Sequence, residues 1–327
     1  MKKTLAVIIS VIMIMTLVFS ACSKEDGESS EGATYKIGIS QYAEHESLDN
    51  CRIGFIDGLK EAGLVEGEDF EIIYQNAGAD DNMTLQIAQS LVSQNVDLLC
   101  GIATNSAVAL YAEAEETDIP VVFTAISDPV QAKLDSGNVT GTSDKLPVEA
   151  QLKLIRALQP EAKTIGIIYT TSEPNSVSTI ADYESLADQY GFTIEALGVT
   201  SQAEVTQAVD TLINKGVDCF SNLTDNNVVN VLPAILEMTN EAGIPVYGSE
   251  IEQVVKGCVA SAGIDYYQLG IKTGMMAAQI LTGEKEASEM PYETIEESET
   301  YINSDAAEAL EIAIPAEILE TATECSD

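Results

Sequence analysis

The sequence is poor in the residues and motifs that catalytic sites use. It has one histidine, His45, in 327 residues. It contains none of the HExxH, GxSxG or GxxxxGK[ST] patterns that mark metalloproteases, serine hydrolases and phosphate-binding loops. Paired carboxylates can hydrolyse glycosides, but Asp and Glu are abundant along the whole chain. We therefore predict that the protein is not an enzyme, and that His45, near the start of the first predicted helix, has a structural role.

Basic residues are also scarce, with 15 Lys and Arg against 53 Asp and Glu, for a net charge of -38. A surface this acidic does not attract nucleic acid or anionic lipid. The six cysteines form no CxxC or Cys/His cluster, so we predict no metal site and no cofactor. Cys100 and Cys219 lie in apolar runs and are predicted to be core residues. With Cys22 set aside, five cysteines remain, and an odd number cannot all pair internally.

The first 22 residues predict export and attachment to a membrane. Two lysines precede an apolar run from Leu5 to Phe19, and Ser20, Ala21 and Cys22 follow. The run of about 15 residues is shorter than the roughly 20 that a spanning helix needs, and no later stretch is long and apolar enough. Residues 1–21 are thus predicted to be a lipoprotein signal peptide, with lipidation at Cys22. The alternatives are an ordinary secretory signal and an uncleaved anchor, with Cys22 incidental.

A polar, acidic segment follows Cys22, and residues 22–34 are predicted to be a flexible tether. The mature protein is expected outside the cytoplasm, lipid-anchored to the cell membrane of a bacterium. Residues 35–327 remain, with ordinary apolar content, and they are enough for two domains or one large one.

Strand-like and helix-like segments alternate from residue 35 onward, in two successive series. The first runs from the strand 35–40 to the strand 139–141, and the second from 165–169 to 258–261, with helices predicted at 175–190, 203–214 and 228–242. The sequences VDLLCGIATNSA from Val96 and VDCFSNLTDNNV from Val217 are each followed by an Ile-Pro-Val segment. This repetition predicts an α/β fold of two similar doubly wound lobes, each a parallel sheet covered by helices. A further helix, 267–281, precedes a strand at 299–303 and a short helix at 306–310.

Several segments together resemble a known family. They are KIGISQYAEHESLDNCRIGFIDGLKEAG (Lys36 to Gly63), VVFTAISDPV (Val121 to Val130), NVTGTSD (Asn138 to Asp144), SEPNS (Ser172 to Ser176), TDN (Thr224 to Asn226) and GIDYYQLGIKTGMMAAQILTGE (Gly263 to Glu284). In this order they resemble the substrate-binding lipoproteins of ABC transporters, in the family that includes tryptophan- and other aromatic amino acid-binding proteins.

The resemblance implies a periplasmic-binding-protein-like fold of type I, in which two lobes close over a ligand and a hinge of three crossings joins them. The crossings are expected near 143–147, 263–266 and 289–292. Lobe 1 would comprise 35–143 plus 265–290, and lobe 2 would comprise 144–264 plus 291–327. The implied partners are a small-molecule ligand, namely an aromatic amino acid such as tryptophan, tyrosine or phenylalanine, and a permease with its ATPase. The protein itself is expected to be a monomer. Binding of a sugar or nucleoside, and a role as a sensory receptor, remain open alternatives.

Ligands of parallel α/β lobes bind beyond the carboxyl ends of the strands, where the loops of this sequence are rich in hydroxyls, amides and carboxylates. The predicted ligand-binding residues are Gln41, Tyr42, Thr104, Asn105, Ser106, Thr124, Asp128, Ser172, Glu173, Asn175, Ser176, Thr224, Asp225, Asn226, Ser249, Glu250 and Asp265.

An amino acid ligand suggests roles for these residues. Its carboxylate suits the helix starts at 104–106 and 175–176, although Ser, Thr and Asn before a helix are also ordinary caps. For its ammonium group, Asp225 is the first choice and Glu250 the second. Its side chain needs apolar walls, for which Tyr42, Pro174 and Leu223 are the candidates.

Overall fold

The computed structural model describes residues 35–294 and 298–326. The predicted signal peptide, the lipidation site and the tether lie outside the described residues. From residue 35 onward the described residues form one compact unit. Its first series of elements is β1 (Tyr35–Gln41), α1 (Glu46–Glu61), β2 (Phe70–Asn76), α2 (Asp81–Ser93), β3 (Leu98–Ile102), α3 (Thr104–Ala114), β4 (Val121–Thr124) and β5 (Val139–Ser143).

The second series repeats this alternation. A helix that we did not predict begins it, although its apolar residues recur at helical spacing. The elements are α4 (Val148–Leu158), β6 (Thr164–Thr170), α5 (Pro174–Leu186), β7 (Thr193–Val199), α6 (Val205–Lys215), β8 (Cys219–Ser221), α7 (Asn226–Asn230), α8 (Leu232–Glu241), β9 (Val246–Tyr247) and α9 (Ile251–Val255).

The single helix predicted over 228–242 is two helices in the structure, α7 and α8. Pro233 lies in the first turn of α8. Proline has no N–H to donate, and its ring collides with the carbonyl four residues earlier, so a helix restarts at this point instead of continuing. The remaining elements are β10 (Ala260–Gly263), α10 (Tyr266–Leu281), β11 (Glu293–Thr294), β12 (Glu299–Ile302), α11 (Ser304–Ala309), α12 (Ala316–Leu319) and β13 (Thr323–Glu324).

These strands form two parallel sheets and a small mixed one. The first has the order β11-β5-β4-β3-β1-β2 and the second β7-β6-β8-β9, and all their pairings are parallel. Strand β10 pairs antiparallel with β12, which pairs parallel with β13. Backbone hydrogen bonds of 2.9 Å from Gly248 to Ala260 and of 2.8 Å from Val259 to Val246 join this small sheet to β9. The predicted fold, two doubly wound α/β lobes, is confirmed.

The repeated Val-Asp pair has the same structural role in both lobes. Asp97, just before β3, accepts a 2.7 Å hydrogen bond from the backbone N–H of Lys36 in the neighbouring β1. Asp218, just before β8, accepts 2.8 Å bonds from the backbone N–H groups of Lys163 and Thr164 at the start of β6. Each aspartate thus satisfies N–H groups where the adjacent strand begins, which explains why the sequence repeats there.

In the described residues the chain passes between the lobes first from β5 to α4 and then from β10 to α10. Strand β11 pairs with β5, so Glu293–Thr294 belong to the first sheet, whereas we placed 291–327 in lobe 2. The other lobe boundaries and the hinge positions stay a prediction. One buried apolar cluster extends through the hinge and includes Leu146 and Tyr266.

Close packing of two helices fixes α10 to the first lobe after the second crossing. Gly54 and Gly58 of α1 face Gly270 and Gly274 of α10, and a Cβ atom at any of the four would collide with a backbone carbonyl of the other helix. The two helices therefore approach more closely than larger side chains allow. This contact holds the hinge segment that follows β10 in a defined position.

Candidate functional site

Both parallel sheets direct the carboxyl ends of their strands at the cleft between the lobes, and the lobes touch there. The Ser47 hydroxyl donates to Glu250 Oε1 at 2.5 Å, and Asn50 Nδ2 donates to Glu252 Oε1 at 2.7 Å. Lys256 forms an ion pair of 3.3 Å with Glu46 at the rim. In each pair one partner comes from α1 or its start, and the other from α9 or just beside it. The structure therefore shows the lobes closed on each other.

A small cavity is enclosed at this junction. Its volume is about 10 Å³, room for about one water molecule. An amino acid fits there only when the lobes move apart or the lining side chains turn away. Both lobes and the hinge contribute to the lining, which consists of His45, Leu48, Ala103, Ala125, Asp144, Asn175, Thr224, Asn226, Val229, Glu250 and Tyr266.

Glu250 is the cavity's main acidic group from the second lobe. Its side chain is buried, and Oε1 accepts hydrogen bonds from Ser47 and from Gln253 Nε2, the latter at 3.2 Å. Burial, and next the nearby charge of Glu252, raise the pKa of Glu250 above its usual range. Within the described residues no lysine or arginine forms an ion pair with it. A cationic group in the cavity would supply the missing counter-charge.

Asp144 and Tyr266 place a second acidic group at the hinge. The Tyr266 hydroxyl donates to Asp144 Oδ2 at 2.6 Å, and the Ser127 hydroxyl donates to Oδ1 at 2.8 Å. Burial raises the pKa of Asp144. Because Asp144 lies in the first crossing and Tyr266 begins α10 after the second, their hydrogen bond ties two hinge segments together beside the cavity.

Asp225 has a different environment from the one we predicted. Its carboxylate accepts from the backbone N–H and hydroxyl of Thr170, at 2.5 and 2.8 Å, from the Ser176 hydroxyl at 2.7 Å and from the Val228 backbone N–H at 3.1 Å. It is fully buried and is not among the cavity-lining residues. Four donors from its own lobe occupy its oxygens, so the geometry favours a bracing role and leaves Glu250 as the better ammonium acceptor.

Glu173 also braces the second lobe. Its oxygens accept from the backbone N–H and side-chain amide of both Asn226 and Asn227, and from Asn175 Nδ2. A carboxylate at the start of α7 is favoured there by the free N–H groups and the helix dipole. Burial, and next the charge of Asp225, raise the pKa of Glu173. Glu173 therefore orients the side-chain amides of Asn175 and Asn226, which line the cavity.

The first lobe contributes strained backbone at its strand ends. Ala103, after β3, has φ 74° and ψ 155°, and Ala125, after β4, has φ 62°. Non-glycine residues seldom adopt such conformations, and those that do cluster at ligand sites. Ala103 is followed directly by α3, whose first N–H groups have no partner within the helix. The Thr104 hydroxyl there is buried and also unpartnered. This edge can accept an anionic group.

The cavity walls are not the residues we predicted. Leu223 lies in the core, Pro174 is exposed, and Tyr42 donates to Asp81 Oδ1 at 3.2 Å outside the cavity. The apolar walls are instead formed by Leu48, Ala103, Ala125, Val229 and the ring of Tyr266. Leucine, alanine and valine side chains give no chemical sign of a binding site in a sequence, which is why these positions were missed.

Of the seventeen predicted ligand-binding residues, four line the cavity: Asn175, Thr224, Asn226 and Glu250. Most of the others surround it as supporting contacts. Tyr42 and Ser172 line a wider, polar pocket of about 250 Å³ between the lobes. Asp265 caps α10, and it lines a groove beside the hinge. The rest bond within the protein or lie near the cleft: Gln41, Thr104, Asn105, Ser106, Thr124, Asp128, Glu173, Ser176, Asp225 and Ser249.

His45 was predicted to be structural, but it lines the cavity and contacts the other lobe. Its Nε2 lies 3.0 Å from Asn226 Oδ1. Burial lowers its pKa, so the ring is neutral near neutral pH. Its position immediately before α1, at a strand-to-helix loop of the first lobe, is the signal that could have identified it.

The cysteines of the described residues are mostly buried. Cys100 and Cys219 are buried, as predicted, and all five described cysteines are free thiols. Among residues 35–294 and 298–326, no cluster of three or more His, Cys, Asp or Glu is placed to hold a metal ion. No helix in the same part of the chain is long and apolar enough to cross a membrane.

Comparison with known proteins now defines the class. Residues 36–326 match the family model of ABC transporter substrate-binding proteins. A tyrosine-binding protein of Clostridioides difficile is 37% identical over 325 residues, covering 95% of this chain and 93% of that protein. The chain therefore belongs to the ABC transporter substrate-binding protein family, as its sequence predicted.

Two solved structures indicate the arrangement of the lobes. An ABC domain in complex with L-Trp from Streptococcus pneumoniae has a TM-score of 0.85 at 33% identity, over 90% of this chain and all of that one. A ligand-free, open substrate-binding protein with adhesive properties from Clostridium difficile has a TM-score of 0.67 at 38% identity, over 89% of this chain and 99% of that one. The ligand-free, open protein has the higher sequence identity to this chain but the lower TM-score. The lobe arrangement here is therefore nearer to that of the L-Trp complex.

Proposed function

We propose that this protein captures an aromatic amino acid outside the cytoplasm and delivers it to an ABC importer. The observation that carries the proposal is the closed cleft, whose cavity is lined both by a buried carboxyl without a cation, Glu250, and by Ala103 at the start of α3. Relatives of this chain are a tyrosine-binding protein and a domain solved with L-Trp. The role is binding and not catalysis.

In this proposal the ammonium group of the ligand binds Glu250. The carboxyl is buried, lines the cavity and has only neutral partners, Ser47 and Gln253. A hydrogen bond to a charged group contributes about 1.5–3 kcal/mol, which corresponds to roughly 10- to 150-fold in affinity. Because Ser47 belongs to α1, an ammonium group at Glu250 also lies at the contact between the lobes.

The carboxylate of the ligand binds at the start of α3. The N–H groups that follow Ala103 are free of intrahelical partners, and the helix dipole favours a negative charge there. The unpartnered Thr104 hydroxyl adds a donor. No arginine is needed in such a site. The ring then lies among Leu48, Ala125 and Val229, which line the same cavity.

A thermal-shift screen of the full chain in detergent tests the ligand. The protein is unfolded and refolded first to release bound ligand, and is then screened against the twenty amino acids, sugars and nucleosides. A ligand that binds only the folded state raises the midpoint with the logarithm of its concentration over Kd. We expect a shift with aromatic amino acids. A shift with a sugar or nucleoside alone would refute the ligand assignment.

Glu250→Gln and Glu252→Gln form a matched pair for this test. Both residues are buried acids at the start of α9 that accept a hydrogen bond from α1, but only Glu250 lines the cavity. We expect Glu250→Gln to lower amino acid affinity about 10- to 150-fold, the value of a charged hydrogen bond. Glu252→Gln should stay within a few-fold of wild type. Equal losses in both variants would show that the lobe contact is affected and not the ammonium site.

Transport and membrane attachment are separate parts of the proposal. Residues 1–21 and Cys22 support a lipid anchor, 22–34 support a tether, and family membership supports a permease and ATPase as partners of a monomeric binding protein. Deleting the gene should abolish uptake of the bound amino acid, whereas unchanged uptake would favour a sensory role. Labelled palmitate should enter the wild-type protein but not Cys22→Ser.

A further inference from the structure

The two ring nitrogens of His45 have different surroundings. Nε2 faces Asn226 Oδ1 at 3.0 Å. The Nδ2 atom of the same amide donates to Glu173 Oε2 at 2.7 Å, so the amide orientation follows from the network and Oδ1 can only accept. Nε2 therefore carries the proton. Burial also lowers the pKa of His45, which agrees with a neutral ring.

In this tautomer Nδ1 is an acceptor, and it is buried without a hydrogen-bond partner. His45 lines the cavity, so this unpartnered atom lies beside the ligand site. A buried acceptor without a donor costs free energy, and a ligand that brings a donor to it recovers that cost. The Thr224 hydroxyl, on the opposite lobe, lines the same cavity and is also unpartnered.

We propose that His45 is the residue that sets ligand specificity, by accepting through Nδ1 a hydrogen bond from a polar group on the aromatic ring of the ligand. This inference rests on the proposed function. Tyrosine carries a phenol O–H and tryptophan an indole N–H, whereas the phenylalanine ring has no such donor. His45 thereby ranks tyrosine and tryptophan above phenylalanine. A phenol oxygen can in addition accept a hydrogen bond from Thr224, which an indole N–H cannot do.

The alternative donor for Nδ1 is the ammonium group of the ligand. The cavity already contains the buried carboxyl of Glu250, which is a stronger partner for an ammonium than a neutral imidazole. The two assignments make different predictions. Loss of a contact to the ammonium weakens every amino acid equally, whereas loss of a contact to the ring donor weakens tyrosine and leaves phenylalanine unchanged.

Two substitutions separate the two nitrogens. His45→Gln keeps an amide N–H near the position of Nε2, which preserves the bond to Asn226 and removes the Nδ1 acceptor. His45→Asn keeps an acceptor near the position of Nδ1 and loses the bond to the other lobe. Isothermal titration calorimetry of the full chain in detergent measures the affinity of each protein for tyrosine, tryptophan and phenylalanine. Circular dichroism checks that both variants are folded.

We expect wild type to bind tyrosine at least about tenfold more tightly than phenylalanine. His45→Gln should lower tyrosine affinity about 5- to 150-fold, the range for one unsatisfied buried group, and change phenylalanine affinity by less than about twofold. A parallel loss for tryptophan supports the proposal. His45→Asn should keep the tyrosine-to-phenylalanine ratio while weakening both.

Three results would overturn the inference. They are equal wild-type affinities for tyrosine and phenylalanine, an equal loss of both in His45→Gln, and no change in that variant. In each case an aromatic amino acid still binds, and the proposed function stands. If no amino acid binds the refolded wild type, the proposed function itself fails, which is a different outcome.

Discussion

Replacing Asp225 by alanine separates its bracing role from a direct contact with the ligand. In the structure its carboxylate accepts two backbone N–H groups, from Thr170 and Val228, and two hydroxyls, from Thr170 and Ser176. The hydroxyls can rotate to other acceptors, but the backbone N–H groups cannot. Two buried N–H groups would therefore lose their partner in Asp225→Ala.

The magnitude follows from the number of orphaned groups. Each unsatisfied buried donor costs about 1–3 kcal/mol, so the variant should lose about 2–6 kcal/mol of the free energy of unfolding. A domain of this size loses about 2–4 °C of melting temperature per kcal/mol. The decrease in melting temperature should therefore lie between several degrees and roughly 20 °C. Ser176→Ala, which removes one hydroxyl donor and orphans no backbone group, should cost about 1 kcal/mol.

Urea unfolding at constant m-value, followed by circular dichroism, measures these losses. Amino acid affinity is measured at a temperature where the variant is folded. We expect Asp225→Ala to be strongly destabilised but to bind ligand with an affinity within about tenfold of wild type. If Asp225 bound the ammonium group directly, the variant would lose both a charged hydrogen bond and the counter-charge, and the loss of affinity would be much larger. A variant with wild-type stability and no measurable binding would refute the reasoning, and would restore Asp225 as the ammonium acceptor.

Three further predictions concern the helix contact, the thiols and pH. Gly274→Ala should lose about 1–3 kcal/mol of unfolding free energy, because the added Cβ collides with the backbone of α1. Met275→Ala, on the exposed face of α10, should lose little. Equal urea midpoints for the two variants would contradict this prediction. Iodoacetamide should modify Cys325 in the native protein and spare the four buried thiols until urea is added, as mapped by peptide mass spectrometry. Burial raises the pKa of Glu250 from 4.5 to about 8. The stability that protonated Glu250 contributes to the ligand-free protein is therefore fully present below pH 4.5 and should be lost as the pH rises towards 8. The urea midpoint of Glu250→Gln should decline less over the same pH range.

The fold could be predicted from the sequence because its signals are local and repeated. Apolar runs bounded by turn residues gave the strands, and the Val-Asp pairs at Val96 and Val217 marked equivalent strands in both lobes. Asp97 and Asp218 indeed satisfy equivalent backbone N–H groups. The prediction of a single long helix over 228–242 was wrong because helical spacing continues across Pro233, where the missing N–H and the ring of proline divide the segment into two helices.

The site was harder to predict because side-chain chemistry alone does not tell whether a polar group faces the ligand or a neighbour. Asp225 and Glu250 are both acids after a strand, but four donors from its own lobe occupy the first and only neutral partners reach the second. Ala103 and Ala125 have no polar side chain at all. Their contribution is a backbone conformation that becomes visible only in three dimensions.

The charge of the closed cleft explains how ligand binding and closure can depend on each other. Closure buries Glu250 and Asp144 around one cavity, and in the described residues neither forms an ion pair with lysine or arginine. Burying a carboxylate without a counter-charge is costly, so an empty cleft near neutral pH closes only if a proton is taken up. An ammonium group removes that requirement. If Glu250 binds the ammonium group as we propose, that group also favours closure, and we expect a ligand that lacks it to leave the lobes apart.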